Sequence, residues 1–289
     1  MNILITGSTG FIGTHLVSVL SKKHTLFMPK RRQLDLLDEK KVQGYFLINS
    51  IDIVIHCAAI GGYGKHLYVQ GMFYDNIRMF YNLVRCRKYY QRLINIGSGA
   101  VYDKRFPIIK IKETDFGKRI PNDEYGLYKY ICSDYISKTD NMVDLRVFGL
   151  FGEGEDYRYR FISNALCRHM FHMPISVKQN VHFDYLDIQD FLKIIEYFLI
   201  HKPKYGAYNI GNGKTCNLIS LANTINTVGG RRDEIFVAKK GYAHEYTCSN
   251  SRLLDEYTRF KPTPLLLSLK RLSDYYHRNL SRIHKKELL

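Results

Sequence analysis

The sequence predicts an α/β fold: a doubly wound parallel sheet with a smaller α/β lobe partly interleaved with it. Three observations predict it. A short apolar run, Ile3-Leu4-Ile5, leads directly into Thr6-Gly7-Ser8-Thr9-Gly10-Phe11-Ile12-Gly13. Through about residue 150, short apolar runs alternate with longer segments of helical periodicity, the mark of a parallel sheet covered on both faces. Beyond that point the rhythm loosens. The expected division is therefore 1–150 for the sheet domain and 151–289 for the smaller lobe, with some of the lobe's segments returning to the first domain. Strand, glycine turn and helix in that order make the sheet Rossmann-like.

The elements follow in chain order. Asn2–Thr6 is a buried strand. In the loop after it, Gly7 suits a tight turn, Gly10 leaves no side chain where a phosphate would lie, and Gly13 lets strand and helix pack closely. Helix Phe11–Leu20 then points its positive N-terminus at the loop. This combination predicts dinucleotide binding by Gly7, Thr9, Gly10, Phe11, Ile12 and Gly13. Further strands are expected at Thr25–Met28, Asp52–His56, Leu93–Gly97 and Val143–Val147, and further helices at Asp38–Ile48, Phe73–Tyr90 and Tyr125–Ser137. In the second half, Arg160–Phe171 and Asp187–Ile200 read as helices, and His182–Leu186 and Ala207–Ile210 as extended. Asn217–Thr227 is a helix with Leu218, Leu221, Ala222 and Ile225 on one face.

Composition narrows the class. With 289 residues, 45% hydrophobic and 24% charged, the chain can bury a substantial core. No apolar run approaches the ~20 residues needed to span a bilayer, and Met1-Asn2 enters the first strand at once, so neither a leader nor a membrane anchor is expected and the location is cytoplasmic. The six cysteines have no close pairs, which suits reduced thiols rather than a disulfide framework. His169 and His172 lack accompanying ligands, so no metal is expected. A net charge of +16 favours anionic partners, although no nucleic-acid motif accompanies it. Residues 258–289 hold eight Lys or Arg against two acids, with helical apolar spacing from Leu265 to Ile283. A terminal helix with a solvated basic face and a contact with a membrane surface both fit that pattern.

Chemistry enters with Tyr125-Gly126-Leu127-Tyr128-Lys129, which places Tyr125 and Lys129 on one helix face. An ammonium beside a phenol stabilises phenolate, so Tyr125 suits acid–base work between an alcohol and a ketone. Ser98 follows the expected strand Leu93–Gly97 and can hydrogen-bond the same oxygen.

With these residues on the page, the chain resembles the extended short-chain dehydrogenase/reductase family of nucleotide-sugar epimerases, dehydratases and reductases. The segments that carry the resemblance are Thr6–Gly13, His56-Cys57-Ala58-Ala59, Asn76, Ser98 to Tyr102, Tyr125 with Lys129, Asp184 to Asp190 and Tyr208 to Gly213. Arg32 to Asp38 and Ile60-Gly61-Gly62 look most like the GDP-fucose synthase subgroup. The resemblance implies that Tyr125 exchanges the proton on the sugar oxygen, Lys129 holds the nicotinamide ribose and Ser98 orients the substrate. It also implies cofactor contacts from Arg31, Asp35, Leu36, Ala58, Ala59 and Asn76, and substrate contacts from Gly99, Ala100, Arg160 and Arg168.

Departures narrow the activity. The dehydratases' Asp-Glu pair is Gly99-Ala100 here, which removes the acid and base for eliminating water. The cysteine and histidine of the fucose synthases' double epimerisation are missing at Ala100 and near Arg160. The arginine that clamps substrate pyrophosphate is Phe183, with Arg168 as its expected replacement, and a substrate-side asparagine is Gly149. At the end of the second strand, Lys30-Arg31-Arg32 stand where NAD-preferring relatives carry an acid, so NADP is expected in preference to NAD. The leading reading is an NADPH-dependent reductase of a nucleotide-linked 4-keto (deoxy)sugar. A C4 epimerase with tightly bound NAD and a non-catalytic dinucleotide sensor are the alternatives. A homodimer is expected through the helices of Asn76 and Tyr125, with Phe73, Ile77, Phe80, Val84, Tyr128, Ile131 and Tyr135 as its apolar seam.

Overall fold

A computed structural model describes residues 1–62 and 69–288. Six parallel strands form the main sheet: β1 (Asn2–Thr6), β2 (Thr25–Phe27), β3 (Ile53–His56), β4 (Arg92–Ser98), β6 (Met142–Val147) and β10 (Ala207–Ile210). Their spatial order is β10-β6-β4-β3-β1-β2. The chain leaves β1 toward β2 and then returns to the other side as β3. The crevice beyond the ends of β1 and β3 is thus the point where strand order reverses, the place where such sheets bind ligands. Thr6 and His56 are register partners at that crevice.

Helices cover both faces. On one side α1 (Phe11–Leu20) and α6 (Ile188–Ile200) bury Leu16, Leu20, Phe191, Ile195 and Phe198. On the other, α2 (Glu39–Ile48), α3 (Met72–Arg85) and α4 (Glu124–Ser137) bury Val42, Phe46, Phe80, Leu83 and Ile136. Three residues expected to begin helices are instead their caps. Asp38, Asp187 and Asn217 accept from the backbone N–H of Lys41, Gln189 and Ser220, at 3.1, 2.8 and 2.9 Å, as short oxygen-bearing side chains do just outside a helix.

The expected helix Phe73–Tyr90 stops earlier. α3 ends at Arg85, the Cys86 N–H tightens onto Leu83 and Val84, and Arg87–Tyr89 form a separate 3₁₀ turn. Tyr90 folds back, its hydroxyl donating to the Leu83 carbonyl at 3.1 Å.

The smaller lobe holds β5 (Ile108–Ile111), β7 (Gly149–Phe151), β8 (Ile175–Asn180), β9 (His182–Asp187), β11 (Thr215–Asn217), β12 (Ile235–Tyr242) and β13 (Tyr246–Cys248). One sheet runs β11-β9-β13-β5 with β7 beside β9, and β8 pairs with β12. Helices α5 (Phe161–Met170), α7 (Leu218–Val228) and α9 (Leu265–Arg278) share a core with Ile162, Leu166, Leu221, Leu269, Leu272 and Tyr276. A short α8 (Ser251–Glu256) precedes α9. The apolar spacing of the basic C-terminal stretch therefore marks core positions, and among the described residues no helix is long and apolar enough to cross a membrane. The expected dimer seam is partly core as well: Phe80, Val84 and Tyr128 are buried within the chain itself, packed with Leu83 and Cys132.

Candidate active site

The glycine loop is built for a close approach. Gly7 has φ +68°, and a Cβ there would lie 2.7 Å from the Ala58 nitrogen. A Cβ on Gly13 would lie 2.2 Å from the Gly7 carbonyl oxygen, so α1 meets the strand as closely as backbone allows. Gly10 meets no such obstruction. α1 has no side-chain cap and no acid in its first turn, leaving its N-terminal N–H groups and positive end for an anion. These features fit a dinucleotide pyrophosphate.

The loop lines a cleft of about 1060 Å³. Of the expected cofactor residues all line it except Asn76 and Lys129. Asn76 instead clamps the turn after β3. Its Oδ1 accepts from the Ile60 N–H at 2.9 Å, and its Nδ2 donates to the Ile60 and Met72 carbonyls at 2.8 Å each. The amide thus ties Ile60, in the turn after β3, to the first residue of α3. Lys30 and Arg31 also line the cleft. Arg31 is largely exposed and pairs with Asp35 at 3.4 Å.

At the end of β1, Thr6 Oγ1 hydrogen-bonds His56 Nδ1 at 2.8 Å. Burial, together with the nearby Lys129 ammonium, pushes the His56 imidazole down to about 3, so it stays neutral. Burial lifts the Cys57 thiol to about 12, which makes this cleft-lining cysteine a poor nucleophile.

Tyr125 lines the cleft, while Ser98 and Lys129 are buried behind its wall, on the turn after β4 and on the helix packed against that turn. Asp123 caps α4, its Oδ1 accepting from Gly126 N–H at 2.9 Å. Gly126 lets this helix press onto the turn after β4: a Cβ there would lie 2.7 Å from Pro121 Cβ and 3.0 Å from the Ala100 carbonyl oxygen. Lys129 is buried, donates from Nζ to the Ile96 carbonyl at 2.6 Å, and lies 5.9 Å from the centre of the Tyr125 ring. Lys104 approaches the same ring at 5.7 Å. Gly62, at φ +83°, packs so tightly on Tyr125 that a Cβ would lie 2.3 Å from its Cδ2. The Tyr125 hydroxyl has no hydrogen-bond partner among the described residues. Ser98 Oγ accepts from Ala100 N–H at 3.1 Å, which orients the hydroxyl within the turn.

Beneath this group lies a buried polar network. Arg146 donates to Ser133 Oγ of α4 (3.0 and 2.8 Å) and to Tyr102 Oη (2.8 Å), and pairs with Asp144 at 3.4 Å. Asp144 also accepts from Asn95 at 2.7 Å, and Tyr102 donates to Asn209 at 2.7 Å. The network ties α4 to β4, β6 and β10.

The substrate-side expectations divide. Gly99 and Ala100 are buried in the turn, and Arg160 lines the cleft. Arg168 is placed elsewhere: its guanidinium donates to the carbonyls of Pro174 (2.7 Å) and Leu288 rather than facing the cleft. Gly149 has a steric reason, since a Cβ there would lie 2.5 Å from the Asp184 carbonyl oxygen across the β7–β9 pair.

One site neighbour lies outside every motif, at the end of the Lys239–Tyr246 segment, which sequence alone marks only as a loop bearing on substrate choice. Tyr246, on β13, lays its hydroxyl over Gly99, where a Cβ would lie 2.6 Å from it. Phe148 and Phe183 hold its ring, at 4.8 and 5.2 Å between centroids. Burial raises the pKa of this phenol, against the pull of a hydrogen bond with Ser98. Only the pairing of β13 with β5 and β9 brings it there, and no local motif announces it.

The chain matches the model of the NAD dependent epimerase/dehydratase family over residues 3–211 and belongs to that family. Fold, loop and family together define an enzyme of the nicotinamide-dinucleotide-dependent oxidoreductase and epimerase class. A dTDP-4-dehydro-6-deoxy-D-allose reductase from Streptomyces sp is 23% identical across 98% of this chain and 97% of the relative. Among solved structures, a GDP-L-fucose synthetase from Naegleria fowleri bound to NADP has a TM-score of 0.83 at 18% identity, covering 98% of this chain and 95% of that one. The UDP-glucose 4-epimerase of Thermus thermophilus in complex with NAD has a TM-score of 0.80 at 21% identity, covering 96% and 99%.

Proposed function

We propose that this protein is an NADPH-dependent reductase that turns the 4-ketone of a nucleotide-linked (deoxy)sugar into an alcohol. The observation that carries the reading is Tyr125 on the wall of the cleft with the Lys129 ammonium 5.9 Å from its ring, on a helix pressed against the turn that follows Ser98. Gly7 to Gly13 would hold the dinucleotide's pyrophosphate, Ala58 and Ala59 the turn beside it, and Lys30 with Arg31 a 2′-phosphate. When bound, the dinucleotide supplies a hydride for the ketone carbon.

The chain's own part is proton delivery and orientation. Tyr125 gives its phenolic proton to the ketone oxygen as that oxygen gains charge, and the Lys129 ammonium beside the ring stabilises the phenolate left behind. Ser98 donates a hydrogen bond to the same oxygen, and Gly62 holds the Tyr125 ring against rotation. Gly99 and Ala100 put no acid or base beside the ring carbons, which favours reduction over elimination of water.

Tyr125→Phe keeps the ring under Gly62 and removes the proton. Turnover is expected to fall by ~10²–10⁴-fold while the dinucleotide still binds. A variant that keeps more than about a tenth of the wild-type rate would remove Tyr125 from this role. Similarity to a dTDP-4-dehydro-6-deoxy-D-allose reductase supports the substrate class, a nucleotide-linked sugar carrying an oxidised carbon.

A further inference from the structure

The segment that follows the Ser98 turn concentrates positive charge that the proposed function does not use. Residues 104–119 hold six Lys or Arg against two acids. Asp115 is taken by Lys118 at 2.5 Å, and Glu113 is buried, accepting from the Asn209 N–H at 2.8 Å. Asp103, just before the segment, is buried against Arg105, whose Nε and Nη2 donate to it at 2.9 and 2.8 Å. Lys104, Lys110, Lys112 and Arg119 are exposed and form no salt bridge among the described residues.

Apolar side chains stand among these cations. Phe106, Ile109 and Ile120 are 42%, 60% and 54% exposed. Two contacts join the ends of the segment: Arg105 Nη2 donates to the Ile120 carbonyl at 3.1 Å, and the Arg119 guanidinium lies 4.0 Å from the centre of the Phe106 ring. Ile109 lies on β5, just beyond Phe106. None of these residues lines the cleft.

Two features narrow the partner. β5 is the outer strand of its sheet, but Lys110 has φ +42° and turns its N–H inward to Thr247 Oγ1 at 2.8 Å. That kink, with lysines along the edge, opposes the addition of a peptide strand. Arg119 covers one face of Phe106, which removes a platform for stacking a nucleobase. An apolar tip among unpaired cations remains. Such side chains enter the headgroup layer of a bilayer while neighbouring Lys and Arg meet its anionic lipids.

We propose that Phe106, Ile109 and Ile120, with the cations Lys104, Lys110, Lys112 and Arg119, seat this protein on the surface of a bilayer that contains anionic lipid. The net charge of +16 adds long-range attraction in the same sense. Lys104 Nζ lies 5.7 Å from the centre of the Tyr125 ring, so the seat borders the candidate active site.

Co-sedimentation of the full chain tests this, with vesicles of phosphatidylcholine alone and of phosphatidylcholine with an equal part of phosphatidylglycerol. Binding is expected to the mixed vesicles only, and to fall as salt rises. Lys110→Glu with Lys112→Glu is expected to weaken it by at least about twentyfold, on the scale of about fivefold for each cation near such a surface. Lys110→Gln with Lys112→Gln, which removes the charges without reversing them, is expected to lie in between. Ile109→Ser with Ile120→Ser is expected to cost about tenfold while the preference for phosphatidylglycerol remains. Lys285→Glu with Lys286→Glu, on the basic C-terminal stretch, is expected to bind as the wild type does. Absence of binding to the mixed vesicles would overturn the proposal, as would wild-type affinity in both Lys110–Lys112 variants or an equal loss in the C-terminal variant. Binding to polyglutamate or to a single-stranded oligonucleotide in place of the vesicles would overturn it too, and would make the partner a protein or a nucleic acid. Vesicle binding is read without turnover, so its outcome is separate from that of the reductase reading.

Discussion

Under the proposed function, Arg31 is the single residue on which cofactor choice turns. Its side chain is 70% exposed and its nearest carboxylate, Asp35, lies 3.4 Å away, so solvent screens whatever it grips. Arg31→Ala is expected to weaken NADPH by about three- to tenfold, a charge-assisted contact discounted for exposure, and to leave NADH nearly unchanged. Comparison of kcat/KM for the two reduced cofactors checks this, and an equal loss with both would place Arg31 outside the 2′-phosphate site.

Glu155 makes a second prediction at the same scale. It is buried, accepts from Ser163 Oγ at 2.7 Å, and burial raises its carboxyl to about 7 from the ordinary 4.5. Between those two values the folded chain keeps the proton and the unfolded chain releases it. Stability from this group is therefore complete below about pH 4.5 and falls as pH rises toward 7, by about 3 kcal/mol in all. Glu155→Gln should match the wild type near pH 4 and exceed it in urea unfolding at pH 8. An advantage of equal size at both pH values would contradict the assignment.

Among the elements, α4 matters most, because it carries both Tyr125 and Lys129. Asp123 starts it, Gly126 lets it press on the Ser98 turn, and Arg146 ties Ser133 of its far half to the sheet. Arg146→Met would leave the buried Asp144 carboxylate with Asn95 as its remaining side-chain partner. Breaking a buried pair from one side costs about 3–5 kcal/mol, and chemical denaturation should show a loss of that order. A loss under about 1 kcal/mol would mean that the network does not anchor the helix.

Elements of this kind were legible where local chemistry defines them. The glycine loop, the Tyr125–Lys129 spacing and the strand-end Ser98 each lie within a few residues, and β1, α1 and β10 fall where their apolar runs predict. β5, β7, β11 and β13 are strands of three or four residues that take their pairing from distant partners, so periodicity has too few positions to reveal them. β12 is longer but mostly exposed, and its Lys239-Lys240-Gly241 stretch hides the alternation. Asn76 was expected to touch the cofactor and instead holds backbone, since its partners are carbonyls and an N–H group that no motif specifies.

For the whole molecule, the sheet brings the β1–β3 crevice, the Ser98 turn and α4 together, while the smaller lobe adds Tyr246 from β13. Residues from both halves of the chain line the same cleft. The most direct test of the reductase reading is NADPH oxidation by the purified chain against GDP-, dTDP-, CDP- and UDP-linked 4-keto sugars. NADPH is expected to be consumed stoichiometrically with at least one of these sugars, and that consumption to be lost in Tyr125→Phe. Protein that retains bound NAD through gel filtration and interconverts C4 epimers with no net oxidation of NADPH would be an epimerase instead.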